Sequence, residues 1–191
     1  YGAKNIKFPD EMFVLNERHV LGICDHIIER GYKLNIWAYA RVDTVKDKFL
    51  AKLKQAGFNW LALGIESGSK HVRDGVEKGR FGDTDIELTV KKIREAGIYV
   101  LGNYIFGLPD DTYESMRETL DLSKRLNTEW GNFYSAMAYP GSQLYGMATK
   151  HDWKLPADWL GYSQHAFETL PLPTEKLSGP EVLAFRDLAH I

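Results

Sequence analysis

Apolar residues along this chain recur at helical spacing, then at strand spacing, and the alternation repeats. Residues 17–30 carry Val20, Ile23, Ile27 and Ile28 on one stripe, the period of an amphipathic helix, and Gly31 follows. The pattern returns over residues 45–56, where Val45, Phe49, Leu53 and Ala56 precede Gly57. It returns again over residues 84–96, where Ile86, Val90 and Ile93 precede Gly97. A fourth helix is predicted over residues 112–126, through Met116, Leu120 and Leu126, with Asn127 as its terminator. Glycine, and less often asparagine, takes up the left-handed conformation that ends a helix at little cost. The four terminators fall 26, 40 and 30 residues apart, which suits one βα unit each.

Strand-like runs follow the terminators: Lys33–Tyr39, Asn59–Glu66, Ile98–Phe106 and Trp130–Ala138, with Asn5–Phe8 ahead of the first helix. Strands alternating with helices form a parallel sheet with right-handed crossovers. Leu61, Leu63 and Ile65 fall on one face of their strand, and Ala62, Gly64 and Glu66 on the other. Leu34, Ile36 and Ala38 likewise oppose Asn35, Trp37, Tyr39 and Arg41. An open sheet covered by helices on both sides would be apolar on both faces. One greasy face and one mixed face instead predict an α/β fold of the partial TIM-type (β/α) barrel class. Residues 1–150 make its core and residues 151–191 a C-terminal extension of short helices and loops. Pro140, Pro156, Pro171 and Pro173 break up the stretch 139–174, and Ser178 and Glu181 stand at capping-box spacing before a last helix.

Composition narrows the chemistry. The 191 residues are 44% hydrophobic and 26% charged with a formal charge of -2, which argues against a nucleic-acid surface. No apolar run approaches the length of a membrane span. The single cysteine, Cys24, excludes a disulfide framework and suits a cytoplasmic location. It also excludes an iron–sulfur cluster held by three or four thiolates of these residues alone. Cys24 falls within an apolar helical stretch and reads as a packed, inert thiol. The six histidines show no metal-binding spacing. The first residue is Tyr1 and not Met, and the chain is expected to be part of something longer.

In parallel α/β folds, sites form at the carboxyl ends of strands. There the sequence places Asp10 and Glu11, then Tyr39 and Arg41, then Glu66 with Ser67, Gly68 and Ser69. Gly107 to Asp111 follow the next strand, and Tyr139 with Pro140 and Gly141 the last. Carboxylates accept from ammonium and ribose groups and a guanidinium forks onto a carboxylate, so this rim suits a zwitterionic ligand bearing hydroxyls. Simpler roles are open to each residue. Asp10 and Glu11 suit the opening of a helix, Ser67 and Ser69 suit N-caps, and Asp110, Asp111 and Thr112 suit a helix start. Arg41 suits an ion pair with Asp43 or Glu66. Trp153, Trp159, Tyr162 and Phe167 suit either a substrate mouth or the packing of a C-terminal lobe.

Four of these segments, in order, resemble the radical S-adenosylmethionine (radical SAM) enzymes, in particular the branch often carrying an upstream cobalamin-binding domain. Ile6 to Phe13 is similar to the segment after that family's second strand, where acidic residues take the methionyl amino group. Leu63-Gly64-Ile65-Glu66-Ser67-Gly68-Ser69 resembles the fourth-strand signature, whose carboxylate reaches the ribose. Gly102 to Thr112 resembles the fifth-strand motif, in which the counterparts of Ile105 and Gly107 pack near the adenine. Ala138 to Ser142 is similar to the turn after the sixth strand. The resemblance implies S-adenosylmethionine bound by Asp10, Glu11, Arg41, Glu66, Ile105, Gly107 and Tyr139. It also implies a four-iron four-sulfur cluster at which the nucleotide is cleaved to an adenosyl radical, for methyl transfer or ring formation on a small organic substrate; use of cobalamin, whose domain would lie upstream of these residues, stays open.

The family's CxxxCxxC loop is absent from these residues, as is the first strand before it, so the isolated chain is expected to be inactive. Its cluster ligands would belong to an upstream part of the same polypeptide. The strand at residues 4–8 would then lie at an open sheet edge and invite self-association. Two other readings stay open: a non-catalytic interaction domain on a degenerate radical SAM scaffold, and a cluster-independent part-barrel enzyme with Glu66 as general base.

Overall fold

The computed structural model describes residues 2–75 and 85–191. Five strands, β1 (Asn5–Phe8), β2 (Asn35–Arg41), β3 (Phe58–Glu66), β4 (Tyr99–Phe106) and β5 (Trp130–Ser135), form one sheet in the order β1-β2-β3-β4-β5. Between and after them run α1 (Glu17–Glu29), α2 (Asp47–Ala56), α3 (Lys70–Asp74), α4 (Ile86–Glu95), α5 (Tyr113–Leu126), α6 (Gln143–Lys150) and α7 (Gly179–Ala189). Strands that neighbour one another in both sequence and space, each pair joined through a helix, follow the βα repeat read from the apolar pattern.

The helix ends are written locally. The Asn16 side chain accepts from the His19 amide at the start of α1, and Asp85 does the same for Leu88 at the start of α4. Gly31, Gly57, Gly97 and Asn127 all have positive φ (63°, 98°, 75° and 40°), as expected of terminators. Ser178 and Glu181 form the expected capping box on α7. Thr84, the first residue of one predicted helix, lies outside the described residues.

Several boundaries differ from the sequence reading, most by one residue; β2 runs Asn35–Arg41 and not Lys33–Tyr39. The helix predicted from Val45 begins at Asp47. The Thr44 hydroxyl exchanges hydrogen bonds with the backbone N–H and C=O of Arg41, which winds Val42–Thr44 into a 3-10 turn and delays the helix. The last strand ends at Ser135 and not Ala138, and the Ala136 carbonyl accepts from Leu172 of the C-terminal segment.

The two-faced sheet is clear in β4, where Val100, Gly102, Tyr104 and Phe106 are buried while Leu101, Asn103 and Ile105 are half-buried. In β2, Ile36, Ala38 and Ala40 are buried and alternate with Trp37, Tyr39 and Arg41. In β3 the alternation breaks. Ile36 pairs with Phe58 but Trp37 pairs with Trp60, so Asn59 is an inserted bulge residue. The bulge lets Phe58 pack with Phe8 and Phe13, at ring separations of 5.7 and 5.2 Å, while Trp60 stands level with Trp37.

The described residues gather into two compact units. The first holds those up to Ile65, from 85 to Asn103, and Leu126–Gly131. Its core includes Phe13, Val20, Cys24, Phe49, Leu53, Phe58 and Ile93. The second holds those from Glu66 to 75, Tyr104–Arg125 and Asn132–Ile191. In it Phe133 stacks on Tyr104 and Phe106, and Phe185 of α7 meets Phe106 edge-on at 4.9 Å.

Candidate functional site

Asp10, Glu11 and Arg41 belong to the first unit. Phe8 pairs with Ala38, so Asp10 stands just beyond the carboxyl end of β1 and Arg41 at the carboxyl end of the adjacent parallel strand β2. Asp10 does not open a helix: its carboxylate accepts from the Met12 amide at 2.9 Å and its carbonyl from Phe13, closing a turn that ends before α1 begins at Glu17. Glu11 is exposed on the same turn. Of the two partners expected for Arg41, Asp43 takes its guanidinium in a two-pronged contact, with Nε to Oδ1 at 2.8 Å.

Glu66, Ile105, Gly107 and Tyr139 belong to the second unit. Glu66 ends β3 half-buried and with φ +65°, a left-handed conformation rare for a residue with a side chain. After it, Ser67 is no N-cap. Its buried hydroxyl accepts from the Ser69 amide at 3.1 Å and meets Thr119 Oγ1 at 3.1 Å. Ser69 is the N-cap of α3, without a side-chain bond to it. Gly68 donates to Thr119 Oγ1 at 2.8 Å, and α5 approaches so closely that a Cβ there would lie 2.6 Å from the Glu118 carbonyl oxygen.

Ile105 packs against Val72, Leu108 and Ala136. Gly107 has φ +79°, and a Cβ on it would meet Val182 of α7 at 2.5 Å, which gives the glycine a packing reason of its own. The helix start that follows is only partly as read. Thr112 is the N-cap: its hydroxyl accepts from the Ser115 amide at 3.3 Å while the Ser115 hydroxyl accepts from the Thr112 amide at 2.9 Å. Asp111 turns back instead. It is 1% exposed, accepts from the Leu108 amide at 3.0 Å, and takes the Ser115 hydroxyl proton at 2.5 Å. Burial lifts its carboxyl to about 6, against the opposing pull of Ser115 and the Leu108 and Gly107 amides. The reciprocal Thr112–Ser115 cap leaves the Asp111 carboxylate to the Leu108 amide and the Ser115 hydroxyl.

Tyr139 follows β5 and is exposed, its ring stacked 6.1 Å from that of buried Tyr162. The four C-terminal aromatics split. Trp153 packs on the Ala138, Ala148 and Leu172 cluster and Tyr162 is buried, whereas Trp159 and Phe167 are 75% and 97% exposed. Cys24 is fully buried in α1, and desolvation pushes its thiol up to about 11, as expected of a packed and inert group. Among the described residues no cluster of His, Cys, Asp and Glu is arranged to hold a metal.

The chain has counterparts among known proteins. The model of the radical SAM superfamily matches residues 13–123. This chain is a member of the radical SAM superfamily. It is 31% identical over 163 residues to an uncharacterised methyltransferase of Pyrococcus horikoshii, covering 85% of this chain and 35% of that protein. It is 25% identical over 187 residues to an anaerobic magnesium-protoporphyrin IX monomethyl ester cyclase of Cereibacter sphaeroides, covering 96% of this chain and 30% of that one. The chain thus spans about a third of these relatives' length. Among solved structures, the radical SAM methyltransferase TsrM of Kitasatospora setae, with cobalamin and a [4Fe-4S] cluster bound, superposes with a TM-score of 0.62. The match has 24% identity and covers 69% of this chain and 27% of that one, and it shows the shared partial (β/α)-barrel fold. No helix among the described residues of this radical SAM chain is long and apolar enough to cross a membrane.

Proposed function

We propose that this chain is the nucleotide-holding part of a radical SAM enzyme that performs methyl transfer or ring formation on a small organic molecule. The match of the superfamily model to residues 13–123 carries this reading. The relatives that share this stretch include a methyltransferase and a cyclase. Glu11 would take the methionyl ammonium, with Asp10 shaping its turn, and Arg41 the methionyl carboxylate. Glu66 would accept from the ribose hydroxyls, and Ile105 and Gly107 would flank the adenine, with Tyr139 beside it. A half-buried carboxylate in a left-handed backbone conformation at a strand end supports the role of Glu66, because such strain persists where the surroundings over-determine it.

One cysteine, buried and with its thiol held protonated, does not fit the three thiolates of a four-iron cluster. No step of nucleotide cleavage is therefore assigned to these residues. The cluster's ligands, and cobalamin if the enzyme uses it, would come from an upstream part of the same polypeptide. Calorimetric titration with S-adenosylmethionine tests the reading. Binding that Glu66→Ala weakens at least about tenfold, the worth of one charge-assisted hydrogen bond, supports it. Wild-type protein that takes up no nucleotide overturns it and favours the interaction-domain reading.

The partner reading rests on β1, which ends the sheet order. On the helix side, its edge adjoins an apolar groove of about 430 Å³ lined by Ile6, Phe8, Ile23, Ile27 and Ile36. On the other side Asn5 ends a row of amides: Lys54 donates to Asn59 at 2.7 Å, Asn59 to Asn35 and Asn35 to Asn5 at 3.0 Å each. An open strand beside an apolar groove takes up another strand, from upstream polypeptide or from a second copy.

A further inference from the structure

We infer that Thr119 and Asp111 are positioning residues which lock the loop after β3 and the loop after β4 into a single rigid piece. The inference rests on the nucleotide reading for its purpose, but the coupling itself is tested without a ligand.

Both loops are tied to the same helix, α5, by buried side chains that touch in sequence. Ser67 and Thr119 are fully buried, Asp111 is 1% exposed and Ser115 7%. The direction of every proton follows from the geometry. Thr119 Oγ1 donates its hydrogen to the Ser115 carbonyl at 3.0 Å, so its lone pairs receive the Gly68 amide at 2.8 Å and the Ser67 hydroxyl at 3.1 Å. Ser67, having given its proton, accepts from the Ser69 amide at 3.1 Å. One turn earlier in α5, the Ser115 hydroxyl donates to Asp111, and Asp111 accepts from Leu108. The Arg73 guanidinium also grips the Ser67 carbonyl at 2.6 Å.

Each hydroxyl and carboxylate oxygen in this chain has a hydrogen-bond partner, and such satisfied networks are rigid. Their ends are significant. Glu66, in its left-handed backbone, is the residue immediately before the Ser67 anchor, and Gly107 is the residue immediately before the Leu108 anchor. The proposed ribose and adenine contacts are thus set by the cap and the first two turns of α5, Asp111 to Thr119. Loosening either anchor releases both contacts.

Hydrogen exchange at the Gly68 and Leu108 amides of the 191-residue chain decides this. Thr119→Val, equal in shape but without the hydroxyl, is expected to speed exchange at Gly68 about tenfold, the loss of one buried hydrogen bond. It is also expected to speed exchange at Leu108, whose own acceptor is untouched, about fivefold or more if the loops open as one unit. Thr119→Ser keeps the hydroxyl and restores both rates. Asp111→Asn produces the reciprocal result, with Gly68 accelerated. Substitutions that loosen only their own loop overturn the inference. So does an equal acceleration at Val20 of α1, which would signal general destabilisation. S-adenosylmethionine titration of the same variants separates the two readings: absence of binding by wild type removes the nucleotide, while the exchange rates still decide the coupling.

Discussion

At residue scale, Asp111 keeps a carboxyl group where water does not reach, and the consequence is a definite pH dependence. The folded carboxyl holds its proton up to about 6, against 3.8 for an ordinary aspartate. The folded state therefore binds the proton more tightly. The stability this contributes is complete below about pH 4 and is lost as pH rises through 6, a change of about 3 kcal/mol. Urea unfolding of wild type and Asp111→Asn between pH 4 and 7.5 checks it: the difference between them should change along that slope. Glu66 yields a second prediction. A left-handed backbone costs a side-chain-bearing residue about 1 kcal/mol, so Glu66→Gly should be more stable than Glu66→Ala by about that amount in thermal unfolding. Neither fact was legible beforehand. The sequence marked Glu66 by its place at the end of an apolar strand but carried no sign of its φ. It marked Asp111 as a helix start, because the Asp-Thr-x-x-Ser spacing reads the same whether the aspartate caps or turns back.

Elements fare differently, because most of their signals are local. The glycine and asparagine terminators and the Ser178–Glu181 box depend on a few neighbouring residues, and each stands where the pattern put it. The bulge at Asn59 does not work that way. It is a property of pairing with β2, and the strict alternation read along β3 holds only from Leu61 onward. The contact between the β3 loop and α5 is equally non-local. Gly68→Ala would drive a methyl group into the Glu118 carbonyl and the Thr119 Cα at 2.6 and 2.8 Å. Backbone atoms cannot step aside cheaply, so a loss of about 2–3 kcal/mol is expected in chemical denaturation. At the sheet edge, Lys7 lies 4.2 Å above the Trp37 ring and keeps a charge on β1. Lys7→Val should strengthen self-association, seen in light scattering as a higher mean mass at the same concentration.

For the whole molecule, Cys24 supplies a built-in gauge. A buried thiol pushed up to about 11 reacts only when α1 opens. Labelling by a thiol reagent at pH 8 should be slow in native protein, rapid in urea, and should follow the unfolding equilibrium between the two. Rapid labelling without urea would mean that the first unit opens locally. The same lone cysteine cannot supply the three thiolates of a cluster, although the superfamily model matches residues 13–123.

The amide row beside β1 has a bearing on which partner that edge prefers. Its amides are arranged head to tail, starting from the Lys54 ammonium, so each polarises the next and the Asn5 NH₂ group becomes the better donor. Lys7, on the same face, is likewise a donor. That face of the edge therefore presents hydrogens. The side chains of a second copy bring donors to that face, whereas a strand carrying carboxylate or amide oxygens completes the row; the backbone of either still pairs through its own N–H and C=O groups.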